Sequence, residues 1–190
     1  MKSITEIVPF DTRIYTTTLS DYRYLISHIK DIKTVNPTVI KSNKGGWQSE
    51  VYSNNSLSFM APLLDEIVPL VKEIYKQLSI DGQCTDICYW FNINNRYDYN
   101  CSHRHGNSYF SAVVYLKVPS NSGNIVFERP DDMRDFIQFK EDTENNWGSY
   151  WLEAKENALI LFPSYVPHYV EQNRTENIDD ERISIAFNFK

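Results

Sequence analysis

Apolar and polar positions alternate along this chain with two different periods, and the change between them falls near residue 80. From Asp21 to Lys33, Tyr22, Leu25, Ile29 and Ile32 recur at helical spacing with Lys and Asp between them, and Ser20 stands where a cap would. Leu63 to Leu78 (LLDEIVPLVKEIYKQL) carries the strongest helical pattern, and Pro69 inside it predicts a kink or an early start to its final segment. A loop marked by Pro and Gly, Asn36 to Asn55, separates the two. After Asp81-Gly82 the period falls to two. CTDICYWFNIN, SYFSAVVYLKV, GNIVFERP, RDFIQF, SYWLEA, NALILFP and RISIAFNF each read as a strand, divided by Asn, Gly, Ser, Pro and Asp. Residues 4–18 (ITEIVPFDTRIYTTT) predict one or two further short strands broken near Pro9. Short strands with no helix between them predict a mainly β protein, an antiparallel sandwich or barrel preceded by two helices. The expected organisation is a single domain, 1–190, with N-terminal strands and helices over 1–80 and the β core over 81–190.

Composition narrows the partners. Apolar residues make up 42% of the chain and aromatics 14%, enough for one packed core. Lys and Arg number 19 against 25 Asp and Glu, a net charge of −6, with no local run of cations, which argues against a nucleic-acid partner. MKSITEIVPFDTR lacks the apolar run of a secretory signal, and no window approaches the roughly 18 apolar residues that span a bilayer. A cytoplasmic location with no membrane contact is expected, in a host cytoplasm if the chain is encoded by a phage. Cys84, Cys88 and Cys101 are odd in number and lack paired spacing, so they are read as reduced thiols.

Candidate chemistry sits in CSHRHGNSYFSAVVYL, residues 101–116. On a strand, positions i and i+2 share a face, so His103 and His105 can present two imidazoles to one point. NALILFPSYVPHYVEQN supplies a third, His168, and His28 stands apart on the first helix. In ERISIAFNF, Arg182, Ser184, Ala186 and Asn188 occupy one strand face and Ile183, Ile185 and Phe187 the other. An Arg on the inner face of a small barrel is costly unless paired, and a carboxylate ligand would satisfy both Arg182 and Ser184. The other reading is a surface Arg paired with Asp180 or Glu181.

HRHGNSYFSAVVYL, LFPSYVPH and ERISIAFN, in that order, resemble the 2-oxoglutarate and Fe(II) dependent dioxygenases, most of all a small group of bacteria and phages with undefined substrates. The resemblance covers roughly residues 84–190. It implies a double-stranded β-helix, the jelly-roll core shared with cupins, with the two helices packed on it. It also implies Fe(II) and 2-oxoglutarate as cofactor and co-substrate, and hydroxylation with release of succinate and carbon dioxide. Most of that superfamily binds iron through two His and one carboxylate, and here His105 stands where the carboxylate would. Three ligand sets follow: His103, His105 and His168; two of these His completed by water; or Asn107 as an oxygen ligand. Imidazole suits iron, which favours the first. The resemblance assigns Arg182 and Ser184 to the distal carboxylate of 2-oxoglutarate, with Tyr115 or Lys117 within reach. Asn92 and Asn94, and with them Asn107, are candidates to line the substrate side.

Rival chemistries are weaker. A cupin needs a Glu four or five residues beyond HxH, where Tyr109 and Phe110 stand. Cys101 with His103 and His105 could begin a zinc site, but no fourth ligand is evident. The alternative from another class is a non-catalytic jelly-roll, a binding, virion or assembly protein that retains a metal site. The expected substrate is a small molecule or a peptide, and long antiparallel edges make a homodimer the expected assembly if there is one.

Overall fold

The computed structural model describes residues 11–131, 136–144 and 146–190. The first half holds β1 (Tyr15–Thr18), α1 (Leu25–Val35), β2 (Asn43–Lys44), β3 (Trp47–Gln48), β4 (Tyr52–Ser53) and α2 (Ala61–Gln77). The second half is all strand: β5 (Ile87–Asn94), β6 (Tyr99–His103), β7 (Phe110–Lys117) and β8 (Ile125–Glu128) come first. They are followed by β9 (Ser149–Leu152), β10 (Ala158–Pro163), β11 (His168–Val170) and β12 (Arg182–Phe189).

Every pairing is antiparallel, and the strands form two sheets. The larger runs β1-β10-β7-β12-β5-β3, with β4 also on β5, and the smaller runs β2-β6-β11-β8-β9. Strand β12 lies in the middle of the larger sheet, with Ile185 opposite Phe91 on β5 and Val114 on β7. Ile183, Ile185, Phe187 and Phe189 are wholly buried in a core shared with Leu25 and Ile29 of α1 and Leu63, Ile67 and Val71 of α2. The helices thus cover the outer face of the larger sheet. Its inner face meets the smaller sheet through a second cluster in which Val113, Tyr115, Ile160 and Phe162 pack with Ile125 and Phe127. This is the sandwich the period-two pattern predicts.

Several local expectations shift. Helix α1 begins at Leu25, four residues past Asp21, because the Asp21 carboxylate accepts from the Arg23 backbone N–H and guanidinium and closes a turn there. Ser20 does not cap it; its N–H donates to Glu66 on α2, which also accepts from the Tyr22 hydroxyl at 2.6 Å. Pro69 does not divide α2, which runs unbroken from Ala61 to Gln77. The ring faces solvent, so the Asp65 carbonyl that loses its helical donor is on the exposed side, while Leu64, Ile67, Val71 and Ile74 hold both halves to the core. The strand expected at RDFIQF is absent over residues 136–139, where Phe136 is 88% exposed and no neighbouring strand receives the segment. Arg134 and Asp135 lie outside the described residues, as do residues 4–10 of the N-terminal strand, of which Tyr15–Thr18 is observed. No helix among the described residues is long and apolar enough to cross a membrane.

Pro69→Ala restores the missing N–H in a helix whose packing is already intact. The substitution should stabilise the fold by about 2 kcal/mol, the helix-interior cost of proline less the roughly 1 kcal/mol by which proline restricts the unfolded chain. A chemical denaturation midpoint that falls would show that α2 depends on its proline.

Candidate metal centre

His103 is the last residue of β6 and His168 the first of β11, and the two are direct cross-strand partners. His105 lies beyond the end of β6, so strand alternation does not orient it. Its backbone N–H donates to the Ser164 carbonyl at 3.1 Å, in the turn after β10. The ring is then fixed from the side: Nδ1 lies 2.6 Å from Asn188 Oδ1 and 2.9 Å from Ser111 Oγ. Ser111 in turn contacts Ser164 Oγ at 2.7 Å and Asn188 Oδ1 at 2.8 Å. Strands β7 and β12 and the turn after β10 therefore converge on one imidazole.

The three rings pack against one another with centroids 4.4 to 5.1 Å apart, and one ring nitrogen from each lies within 4.8 Å of the others. Their tautomers follow from their partners. Nδ1 of His103 faces the Cys101 carbonyl at 2.8 Å and Nδ1 of His168 the Val166 carbonyl at 3.0 Å; a carbonyl only accepts, so both Nδ1 atoms carry the proton. Asn188 Oδ1 acts in the same way on His105. Each ring is left with an unprotonated Nε2, the donor a metal needs. Burial is the main reason the rings stay neutral: it lowers His103, pushes His105 down to about 4 and pushes His168 down to about 3.

A cavity of about 860 Å³ between the sheets is lined by all three His and by Arg182. Arg182 is 1% exposed and pairs with neither Asp180 nor Glu181. Glu181 binds Lys30 and Lys33 of α1, and Asp180 binds Lys117 at 3.7 Å. Instead Nη1 of Arg182 donates to the carbonyls of Ser122 and Glu171, while Nη2 is buried with no hydrogen-bond partner. The Tyr115 hydroxyl is also buried without a partner, and burial pushes it up to about 12, so it remains a neutral donor. Both residues line the same cavity, as do Ser184, Asn92 and Asn94.

Residues 88–188 match the model of the family described as "Putative 2OG-Fe(II) oxygenase", more than half of the chain. The chain belongs to the 2OG-Fe(II) oxygenase family. No curated protein matches it in sequence. Among solved structures, a Pseudomonas putida prolyl-4-hydroxylase superimposes with a TM-score of 0.68 at 17% identity, covering 93% of this chain and 91% of that one. The viral collagen prolyl hydroxylase of Paramecium Bursaria Chlorella virus-1, solved with 2OG, gives 0.56 at 13% identity over 93% and 94%. A prolyl hydroxylase from Trichoplax adhaerens, in complex with a hypoxia inducible factor peptide fragment, gives 0.61 at 11% identity over 94% and 82%. These likenesses establish the jelly-roll fold of the 2OG-Fe(II) oxygenases for this chain.

The residues present fit the two groups this oxygenase family uses. Three neutral imidazoles with free Nε2 atoms suit a divalent iron. A buried guanidinium with an unsatisfied nitrogen, beside an unsatisfied phenol, suits a carboxylate. Two expected positions do not join them. Asn107 is exposed in a turn with φ +60° and is not among the cavity-lining residues, because the chain has already left the strand at that point. Lys117 is drawn to Asp180 at the far end of β7. His28 stacks on Phe59 with centroids 4.5 Å apart, as an ordinary helix residue would. Nothing in the residue pattern marks Ser111 and Ser164 as site residues beyond the place of Ser111 on the same face of β7 as Tyr115 and of Ser164 at the end of the Phe-Pro-Ser segment.

Asn188→Ala removes the acceptor that holds the His105 tautomer. Metal affinity of the full chain, measured by Co(II) titration, should weaken by about 10- to 100-fold, and Asn188→Asp should retain it. Equal affinity in the Ala variant and the parent would show that His105 needs no such support.

Proposed function

We propose that His103, His105 and His168 hold Fe(II), that Arg182 and Ser184 with Tyr115 hold the distal carboxylate of 2-oxoglutarate, and that the protein hydroxylates a substrate with release of succinate and carbon dioxide. One observation carries the reading. A buried donor cluster for a metal and a buried, half-satisfied guanidinium occupy the same cavity. When bound, iron and 2-oxoglutarate supply the oxygen activation that amino-acid side chains lack.

The chain's own residues do the rest. Carbonyls of Cys101 and Val166 and the Asn188 amide keep the three rings aimed and deprotonated at Nε2. The Ser122 and Glu171 carbonyls pin one edge of the Arg182 guanidinium and leave the other edge for a planar carboxylate, where its fork geometry exceeds what a lysine offers. Phe162, whose ring lies edge-on to that of His168, lines the cavity with Val113 and Ile125 as apolar wall, and such low-dielectric walls strengthen charged contacts made beside them. Asn92 and Asn94 are the proposed substrate-side residues, and the non-catalytic jelly-roll would not require Arg182 Nη2 to be left unpaired.

The test is succinate formation by the full chain with Fe(II), 2-oxoglutarate and oxygen, with or without added substrate. His168→Ala should lose bound iron and all succinate. Arg182→Ala should keep its iron but require about 10- to 100-fold more 2-oxoglutarate for half-maximal rate, with Arg182→Lys between the two. Full iron occupancy in His168→Ala, or an unchanged 2-oxoglutarate requirement in Arg182→Ala, would reverse these assignments.

A further inference from the structure

The cavity that holds the three imidazoles is cationic in an acidic protein. Asp and Glu account for 25 of the 190 residues, yet none is among the described residues that line it. Four cations do: Arg182 in the interior, and Lys41, Lys44 and Arg104, all exposed, towards the outside. Among the described residues no carboxylate lies within 4.0 Å of Lys41, Lys44 or Arg104. Their placement is built into the smaller sheet. Lys44 on β2 is the cross-strand partner of Tyr99 on β6, Lys41 lies beyond the other end of that short strand, and Arg104 separates the two His at the end of β6.

We infer that the substrate of this oxygenase is a small anion whose carboxylate or phosphate is bound by Lys41, Lys44 and Arg104. The inference rests on the reading of the cavity as an iron and 2-oxoglutarate site. Under that reading 2-oxoglutarate brings two negative charges, one end directed to Arg182 and the other to the metal. Three side-chain cations then remain without a counter-charge, beside a metal whose own ligands are neutral. Unbalanced positive charge in a partly enclosed, low-dielectric hollow attracts and retains an anion. The space of about 860 Å³ is of small-molecule size. Trp90, half-buried on the cavity wall with its ring 5.4 Å from that of His105, offers an aromatic face beside the same space.

The full chain, loaded with Mn(II) as an inert stand-in, is first titrated calorimetrically with 2-oxoglutarate. Absence of that binding would refute the co-substrate reading by itself. With 2-oxoglutarate saturating, phenyl phosphate, benzoate and neutral benzamide are then titrated. At least one anion should bind about tenfold or more tightly than benzamide, and whichever does so identifies phosphate or carboxylate as the recognised group. Lys41→Ala/Lys44→Ala/Arg104→Ala should lose that preference while its 2-oxoglutarate affinity stays within about twofold. Lys41→Glu/Lys44→Glu, which leaves the His-Arg-His segment untouched, should do the same. The proposal is overturned if neither anion outbinds benzamide, if both variants retain the preference, or if they lose 2-oxoglutarate affinity in equal measure, the result expected of cations that serve only the co-substrate.

Discussion

The strict pleat of the strand Arg182–Phe189 ties the core of this protein to its chemistry. Alternate residues, Ile183, Ile185, Phe187 and Phe189, are buried against both helices, each with a burial worth roughly 1.5 to 3 kcal/mol. The intervening residues, Arg182, Ser184, Ala186 and Asn188, line the cavity. A slip of one residue would turn four large apolar side chains into the polar hollow and Arg182 into the hydrocarbon, so the register cannot move without loss of the fold. Packing on one face thus sets the positions on the other. Asn188 reaches His105 and Arg182 reaches the cavity interior because the opposite face has no alternative arrangement.

That coupling explains which parts of the molecule were legible in the amino-acid order. The faces of Arg182–Phe189 follow from alternation, since Ile and Phe recur there at period two, whereas Phe110–Lys117 and Ala158–Pro163 read as strands from short, nearly continuous apolar runs that are buried on both faces. The helices follow from the spacing of Leu25 with Ile29 and of Ile67 with Val71 and Ile74. The strand Tyr99–His103 was not legible, because YNCSH is mostly polar and pairs across the smaller sheet with residues far away. The two-residue strands of the 43–53 segment are too short to carry a period. In the site, the three His, Arg182, Ser184 and Tyr115 were visible as residue types at suggestive positions. What holds His105 was not, since its partners Ser111 and Asn188 lie 6 and 83 residues away, and only the folded sheets bring them together.

Membership of the 2OG-Fe(II) oxygenase family and the geometry of this cavity bear on the same question from independent directions. The smaller sheet presents His103 and His168 on neighbouring strands, the larger presents Arg182, Tyr115 and Asn188, and the space between them is where a metal and a carboxylate would meet. An all-imidazole donor set differs electrostatically from one that includes a carboxylate. It contributes no negative charge, so a divalent metal held there keeps both of its charges for oxygen ligands. Burial keeps these imidazoles neutral at ordinary pH, so a metal placed among them would displace no proton from the ring nitrogens that face it.

The most direct measurement is an anaerobic absorption titration of the iron-loaded chain with 2-oxoglutarate. Chelation of the keto acid to Fe(II) gives a weak metal-to-ligand charge-transfer band, and the account predicts that this band saturates at one 2-oxoglutarate per iron. A chain that binds iron and 2-oxoglutarate yet develops no such band would hold them apart, which would contradict a shared site between the two sheets.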